Sequence, residues 1–390
     1  MQKTKNVMYF HLWVPNLFEF KGGIQVYLQD VIKALINEFP SLGLSIFDKL
    51  DKHSSPEQLP SQNLTFVFSG NLPRFLQTPY FSITLISGVL KKKPNLILCG
   101  HINFSPVALF LHRLTRIPYW IIVYGTDAWE VRDPGKIQAL HSADKVISIG
   151  TYTRDRIIKE QKISLDKISL LPVTFDAKQF KISPKPDYLI QRYSLEPKQP
   201  ILLTVGRLSS SDRYKGYDQI LHALPEIRSS IPNIHYILVG QGDDRPRIEQ
   251  LIHQLNLQDC VTLAGFVPDR ELCDHYNLCD VFVMPSKGEG FGIVYLEALA
   301  CGKPTLGGNQ DGAIDALCQG ELGALVDPDD LEAIAKTILQ ILQGTYPNSL
   351  IYQPELLRQK VIEKFSFECF QKTLGDLIKN SEILESNSNP

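Results

Sequence analysis

One pattern runs through the chain twice, and that repetition limits its fold more than any single residue does. Short apolar runs suited to buried strands alternate with stretches long enough for helices. In the first half the runs lie at 7–14, 64–68, 96–99, 119–124 and 145–149. A turn at Gly22 and Gly23 and a helix over 24–37 follow the first of them. The second half restarts at 201–205 and continues at 235–239, 260–264, 281–284 and 304–306, with a helix over 217–229. Strands alternating with helices predict α/β domains built on parallel sheets covered on both faces. A length of 390 residues accommodates two of them. The stretch 177–198 between the halves, rich in Pro and Lys, reads as a linker. Domains are therefore expected at 1–176 and 199–365. Two doubly wound, Rossmann-like sheets facing a central cleft are the predicted architecture, with ligands at the carboxyl ends of the strands.

Composition excludes several classes. With 44% hydrophobic and 21% charged residues the chain can pack cores, which excludes a disordered chain or a collagen-like repeat. Its 40 Lys+Arg against 42 Asp+Glu give no general attraction to nucleic acid, and none is expected as a partner. Seven cysteines without framework spacing read as reduced thiols of a cytoplasmic protein. Cys273 and Cys279 flank His275, but the segment runs from a helix end into a strand and no second ligand pair lies nearby, so no metal is expected. No stretch approaches the roughly 18 uninterrupted apolar residues of a membrane span. The N-terminal apolar run is broken by His11 and Pro15 and reads as a strand rather than a signal peptide.

The chemistry concentrates at 283–305. After a strand, Gly288, Gly290 and Gly292 surround Glu289, and a helix-forming stretch then carries Glu297. Amides at a glycine-lined helix start attract phosphate. Carboxylates eight residues apart on one helix would stand ~12 Å apart along its axis, within a quarter turn, a spacing suited to grasping hydroxyls at two ends of a sugar nucleotide. The competing reading is a glycine loop with two solvated glutamates.

The run EGFGIVYLE (289–297) resembles the Glu-x7-Glu motif of the retaining GT-B glycosyltransferases, specifically family 4, the glycosyl transferases group 1. VGRL (205–208), RYKG (213–216), LVGQGDD (238–244), AGFV (264–267) and GALVDPDD (323–330) follow that family's order. The resemblance implies a GT-B fold, with a C-terminal helix at 366–385 joining the first domain. It implies that Gly206, Arg207 and Lys215 meet the donor's diphosphate, the two cations stabilising charge on the leaving nucleotide. Glu289 would bind donor-sugar hydroxyls, helped by the amides of Gly290, Phe291 and Gly292; Glu297 would hold the ribose, and the turn ending at Val267 would pack the base. Arg213 serves the same loop or a surface salt bridge.

In the first half, KGGI (21–24) matches the family's loop after strand one, with Gly22 and Gly23 on the donor side or simply forming a turn. Tyr124 stands where many relatives have His. It either takes over part of that residue's contact with the sugar or leaves the sugar to be held differently. Asp127 is a sugar or acceptor ligand or a helix cap, and His101 a cleft-facing or structural histidine. Asp311, in GGNQDGAID, carries no assigned role, because a carboxylate beside a diphosphate is unfavourable without a partner.

The implied activity is retaining transfer of a hexose from a UDP- or GDP-linked sugar to a glycan, polysaccharide or lipid-linked acceptor of the cell envelope. The nucleotide sugar is a co-substrate; no cofactor is implied. Residues 91–93, all Lys, follow an apolar stretch and offer either peripheral contact with the cytoplasmic membrane face or compensation of a helix dipole. A nucleotide-sugar epimerase and a non-catalytic sugar-nucleotide-binding protein of the same fold are the alternatives.

Overall fold

The computed structural model describes residues 8–19, 22–53 and 63–381. Residue 7 of the first predicted strand, Lys21 of the glycine loop and residues 382–385 of the predicted C-terminal helix lie outside the described residues. The chain divides into two compact units, Met1–Thr174 with Phe367–Pro390, and Phe175–Ser366.

The first unit holds β1 (Tyr9–Val14), β2 (Gly43–Asp48), β3 (Leu64–Phe68), β4 (Leu96–Cys99), β5 (Tyr119–Val123), β6 (Lys145–Ser148) and β7 (Ile168–Leu170). They form one sheet in the order β3-β2-β1-β4-β5-β6-β7, every pairing parallel. Its helices are α1 (Gly23–Glu38), α2 (Arg74–Lys91), α3 (Ser105–Thr115), α4 (Thr126–Trp129), α5 (Pro134–Ser142) and α6 (Thr151–Gln161). β1, β4 and β5 are almost wholly buried because helices cover both faces, so they read as continuous apolar runs rather than alternating ones. Even His11 is fully buried, and burial, with Lys92 nearby, drops its pKa to about 3, so the ring is neutral.

The second unit contains β8 (Ile201–Val205), β9 (His235–Val239), β10 (Val261–Gly265), β11 (Val281–Met284), β12 (Thr305–Gly308) and β13 (Ala324–Val326). The order is β10-β9-β8-β11-β12-β13, again all parallel. Its helices are α7 (Asp187–Arg192), α8 (Tyr217–Ser230), α9 (Arg245–Gln254), α10 (Asp269–Leu278), α11 (Ile293–Ala300), α12 (Ala313–Ala316), α13 (Leu331–Leu342) and α14 (Pro354–Phe365). Two Rossmann-like parallel-sheet units make this a GT-B fold.

The last helix, α15 (Phe367–Lys379), belongs to the first unit. There it packs on α1, with Phe370 edge-on to Tyr27 at 5.4 Å and Lys379 paired with Glu38. The segment 177–198, read as a linker, is instead part of the second unit. Its charges are matched on and beside α10: Lys185 with Asp280 at 2.6 Å, Arg192 with Glu271 at 2.7 Å, and Tyr188 with Asp274 at 2.7 Å. The polar composition that reads as a linker here reflects pairing. Three strands, β2, β7 and β13, are additional to the predicted set; each is a short run flanked by Gly, Asp or Lys.

Candidate functional site

A parallel sheet leaves a crevice where strand order reverses, because successive crossovers there lead to opposite sides. In the first sheet that point lies between β1 and β4, and in the second between β8 and β11. Gly206 and Arg207 follow β8 directly, and the 285–292 turn follows β11; Gly22 and His101 follow β1 and β4 in the same way. Residues distant in sequence thus gather at two such points, one in each unit.

In the second unit, two loops are stapled together at the switch point. Lys287 donates its amide to the Tyr214 carbonyl at 2.9 Å, and Lys215 Nζ reaches Glu289 Oε2 at 2.8 Å. Both charged side chains are largely buried, with 11% and 17% exposed. Gly216 has φ +83°, and a Cβ there would stand 2.3 Å from the Pro285 carbonyl oxygen, so only glycine lets the loops meet. Gly206 serves a similar end, since a Cβ would crowd the Lys215 stem at 3.0 Å. Arg207 lies beside this pair with its guanidinium 2.8 Å from buried Asp212 and its side chain 55% exposed. A largely buried ammonium, an exposed guanidinium and a carboxylate therefore meet where the ends of β8 and β11 adjoin.

Asp311, which carries no assigned role in the motif pattern, holds the Glu289 turn. Its Oδ2 accepts the amides of Gly288 at 2.9 Å and Glu289 at 2.7 Å, and its Oδ1 accepts that of Ala313 at 2.9 Å. Burial nevertheless raises its pKa to about 6. The missing partners are thus backbone amides, and the only signal in the sequence was a carboxylate after a glycine pair.

Glu297 alone rides the helix. Gly292 caps α11, and Glu289 stands in the turn before it, which replaces the expectation of two carboxylates along one helix axis. Glu297 is buried, and Tyr276 of α10 donates to its Oε2 at 2.6 Å. Phe291 is buried with its ring against Phe365, so only its backbone remains for a ligand. Val267 is buried in the turn after β10, beside Phe266 at 67% exposure. Arg213 belongs to a salt-bridge hub: Asp244 accepts from Arg213 at 2.6 Å, Arg247 at 2.7 Å and Tyr217 at 3.0 Å. Arg247 leads in holding the Asp244 carboxyl well below the usual carboxylate range.

The first-unit candidates are more structural. The Tyr124 hydroxyl donates to the Gly100 carbonyl at 3.0 Å, and its ring is buried edge-on to Tyr27. That hydroxyl is thus engaged with the main chain at the end of β4. Asp127 accepts the Tyr124 amide at 3.0 Å, which closes the glycine turn before α4. His101 Nδ1 accepts the Asn103 amide at 3.1 Å and caps a short 3-10 turn. Burial first, then Lys136 and Lys49, lower the His101 pKa to about 4, leaving Nε2 as a neutral donor. Gly22 caps α1, and nothing lies within 4 Å of where a Gly23 Cβ would stand. The preceding loop is held by buried Asp51, which accepts the amides of Leu17 and Phe18 at 2.7 Å each.

Residues 188–354 match the family model for glycosyl transferases group 1. That span contains Arg207, Lys215, Glu289, Glu297 and Asp311. The chain is 32% identical over 212 residues to the GDP-mannose-dependent α-(1-6)-phosphatidylinositol monomannoside mannosyltransferase of Mycolicibacterium smegmatis, covering 52% of this chain and 54% of that protein. It is 30% identical over 241 residues to O-antigen chain mannosyltransferase B of Escherichia coli, covering 61% of each. The chain spans about half the length of the first of these relatives. Among solved structures, sucrose-phosphate synthase of Thermosynechococcus elongatus superposes with a TM-score of 0.78 at 23% identity, covering 98% of this chain and 100% of that one. Anabaena HepE, solved in complex with UDP-glucose, gives 0.77 at 18% identity, covering 96% and 100%. Residues 188–354 thus match the glycosyl transferases group 1, and the two-sheet GT-B fold is shared with these solved structures.

Proposed function

We propose that the chain transfers a hexose from a nucleoside-diphosphate sugar to a glycan, polysaccharide or lipid-linked acceptor with retention at the anomeric carbon. The observation that carries this reading is the Lys215–Glu289 pair at 2.8 Å, with Arg207 on the same strand end. Cations beside a carboxylate match a ligand that is phosphate at one end and hydroxylated sugar at the other. Gly206, Arg207 and Lys215 take the diphosphate and stabilise the charge that grows as it leaves. Glu289 takes sugar hydroxyls with the amides of Gly290 and Phe291, and Glu297, oriented by Tyr276, takes the ribose. The 265–267 turn packs the base. The departing phosphate accepts the acceptor's proton, so no carboxylate nucleophile is needed. His101, with a neutral Nε2 donor, is the first-unit candidate for a sugar or acceptor hydroxyl.

GDP-mannose is the first donor to test, because the Mycolicibacterium relative is named for it, and UDP-glucose the second, because HepE was solved with it. Incubation with a panel of nucleotide sugars and cell-envelope acceptors, read by nucleotide release and the anomeric configuration of the product, tests the reading. Retained configuration supports it; a free epimer favours the isomerase, and binding without turnover a binding protein.

Peripheral membrane contact on the cytoplasmic face is part of the same proposal. Leu76, Tyr80, Ile83 and Leu90 recur along one face of α2 and are 43–65% exposed. The helix has no acidic residue and ends in Lys91, followed by Lys92 and Lys93. Among the described residues no helix is long and apolar enough to cross a membrane. Co-sedimentation with phosphatidylglycerol vesicles, lost in Ile83→Asp, is the expected result; equal sedimentation of both proteins would contradict it.

A further inference from the structure

Two cysteines meet beside the buried glutamate of the candidate donor site. Cys273 lies in the middle of α10, and Cys301 caps the C-terminus of α11; their Sγ atoms are 3.9 Å apart. Cys273 is half-buried and Cys301 is 1% exposed, so one sulfur is reachable from solvent and the other stands behind it. Asn277 Nδ2 donates to Cys273 Sγ at 3.4 Å, and in its thiol form Cys273 donates to the Lys181 carbonyl at 3.6 Å. Tyr276 follows Cys273 by three residues, and Glu297 precedes Cys301 by four. The Tyr276–Glu297 bond at 2.6 Å therefore lies about one turn from the sulfur pair along each helix.

We infer that Cys273 and Cys301 form a reversible disulfide, an oxidation site that braces α10 against α11 and displaces Glu297. Hydrogen peroxide is the oxidant class. The Cys273 thiolate attacks one peroxide oxygen, the O–O bond breaks, and hydroxide leaves, giving Cys273 sulfenic acid. Cys301 sulfur then attacks the Cys273 sulfur; the S–O bond breaks, the hydroxyl leaves with the Cys301 proton as water, and the S–S bond forms. In sum two thiols and one peroxide give a disulfide and two waters. The sulfurs must close from 3.9 Å to about 2.05 Å, a shift the helices or rotamers have to absorb.

The geometry separates the roles. Hydrogen bonding from Cys301 leads in lowering the Cys273 pKa to about 6, which gives it thiolate character near neutral pH. Cys99 and Cys279 are fully buried, and burial pushes both thiols up, to about 12 for Cys279. They are poor first targets. Cys301 is likewise pushed up, the Cys273 sulfur contributing most, which suits the partner that keeps its proton until the second step.

The test treats the full chain with hydrogen peroxide, blocks remaining thiols, and maps peptides by mass spectrometry with and without dithiothreitol. A dithiothreitol-sensitive 273–301 cross-link, absent in Cys273→Ser and in Cys301→Ser, is expected. Sulfenic acid that persists on Cys273 without the cross-link, or pairing spread over other cysteines, would overturn the inference. The effect on Glu297 rests on the proposed donor site and is read separately. Oxidation should weaken binding of GDP or UDP by about threefold or more, reversibly and only in the chain that keeps both cysteines. A cross-link without that change would leave the oxidation site standing and remove its link to Glu297. No nucleotide binding by the reduced chain would instead count against the donor-site reading.

Discussion

Asp311 holds the main-chain amide of Glu289 at 2.7 Å, and through it the turn on which the candidate donor carboxylate stands. The same oxygen takes the Gly288 amide. Hydrogen bonds to a charged acceptor contribute about 1.5–3 kcal/mol, so Asp311→Ala should lower stability by roughly 2 kcal/mol and nucleotide-sugar turnover by at least about tenfold. Asp311→Asn, which keeps one acceptor but turns an amino group toward an N–H, should fall between. Denaturant unfolding and steady-state turnover check both; an unchanged rate in Asp311→Ala would remove Asp311 from the site.

Tyr124→Phe deletes a hydroxyl already bonded to the Gly100 carbonyl. The expected cost is about 1 kcal/mol of stability, with turnover and KM near wild type. A large loss of turnover at unchanged stability would return Tyr124 to the sugar.

Asp127 gives a pH test. Burial raises its pKa to about 7, against about 4 in an unfolded chain. Between those values the folded protein holds a proton that the unfolded chain has released, so this group's contribution to stability falls as pH rises from about 4 to about 7. Asp127→Asn removes that slope and should gain on wild type at the alkaline end. Tm measured across that range checks it; parallel curves for the two proteins would contradict the assignment.

Asp244 anchors Arg213, Arg247 and Tyr217 at 2% side-chain exposure. Asp244→Ala leaves three donors without their acceptor and should cost about 2–4 kcal/mol, read by denaturant unfolding. Arg213→Ala, whose side chain is half exposed, should change stability far less. If Arg213→Ala instead reduced nucleotide affinity strongly, Arg213 would belong to the donor loop.

The alternation of strands and helices was legible because β1, β4, β5, β8, β9 and β11 are nearly uniform apolar runs, the mark of strands buried on both faces. Glycines made the second-unit turns legible too, since Gly206 and Gly216 stand where backbone and side chain must pass closely. What escaped was any residue whose role depends on a partner far away in the chain. Asp311 meets its amides only after β12 aligns beside β11, and Tyr276 meets Glu297 only when α10 packs near α11. The segment 177–198 reads as a linker because the acidic partners of its Lys, Tyr and Arg lie some 80–95 positions on. Tyr124 was ambiguous for the same reason, since its acceptor is a backbone carbonyl at the end of another strand.

Calorimetric titration of GDP and UDP into the wild-type chain and Lys215→Ala tests the central claim most directly. The account predicts that at least one nucleotide binds the wild type and that the substitution weakens it by about tenfold or more, or ~1.4 kcal/mol. Equal affinities in the two proteins would contradict a diphosphate site at the end of β8.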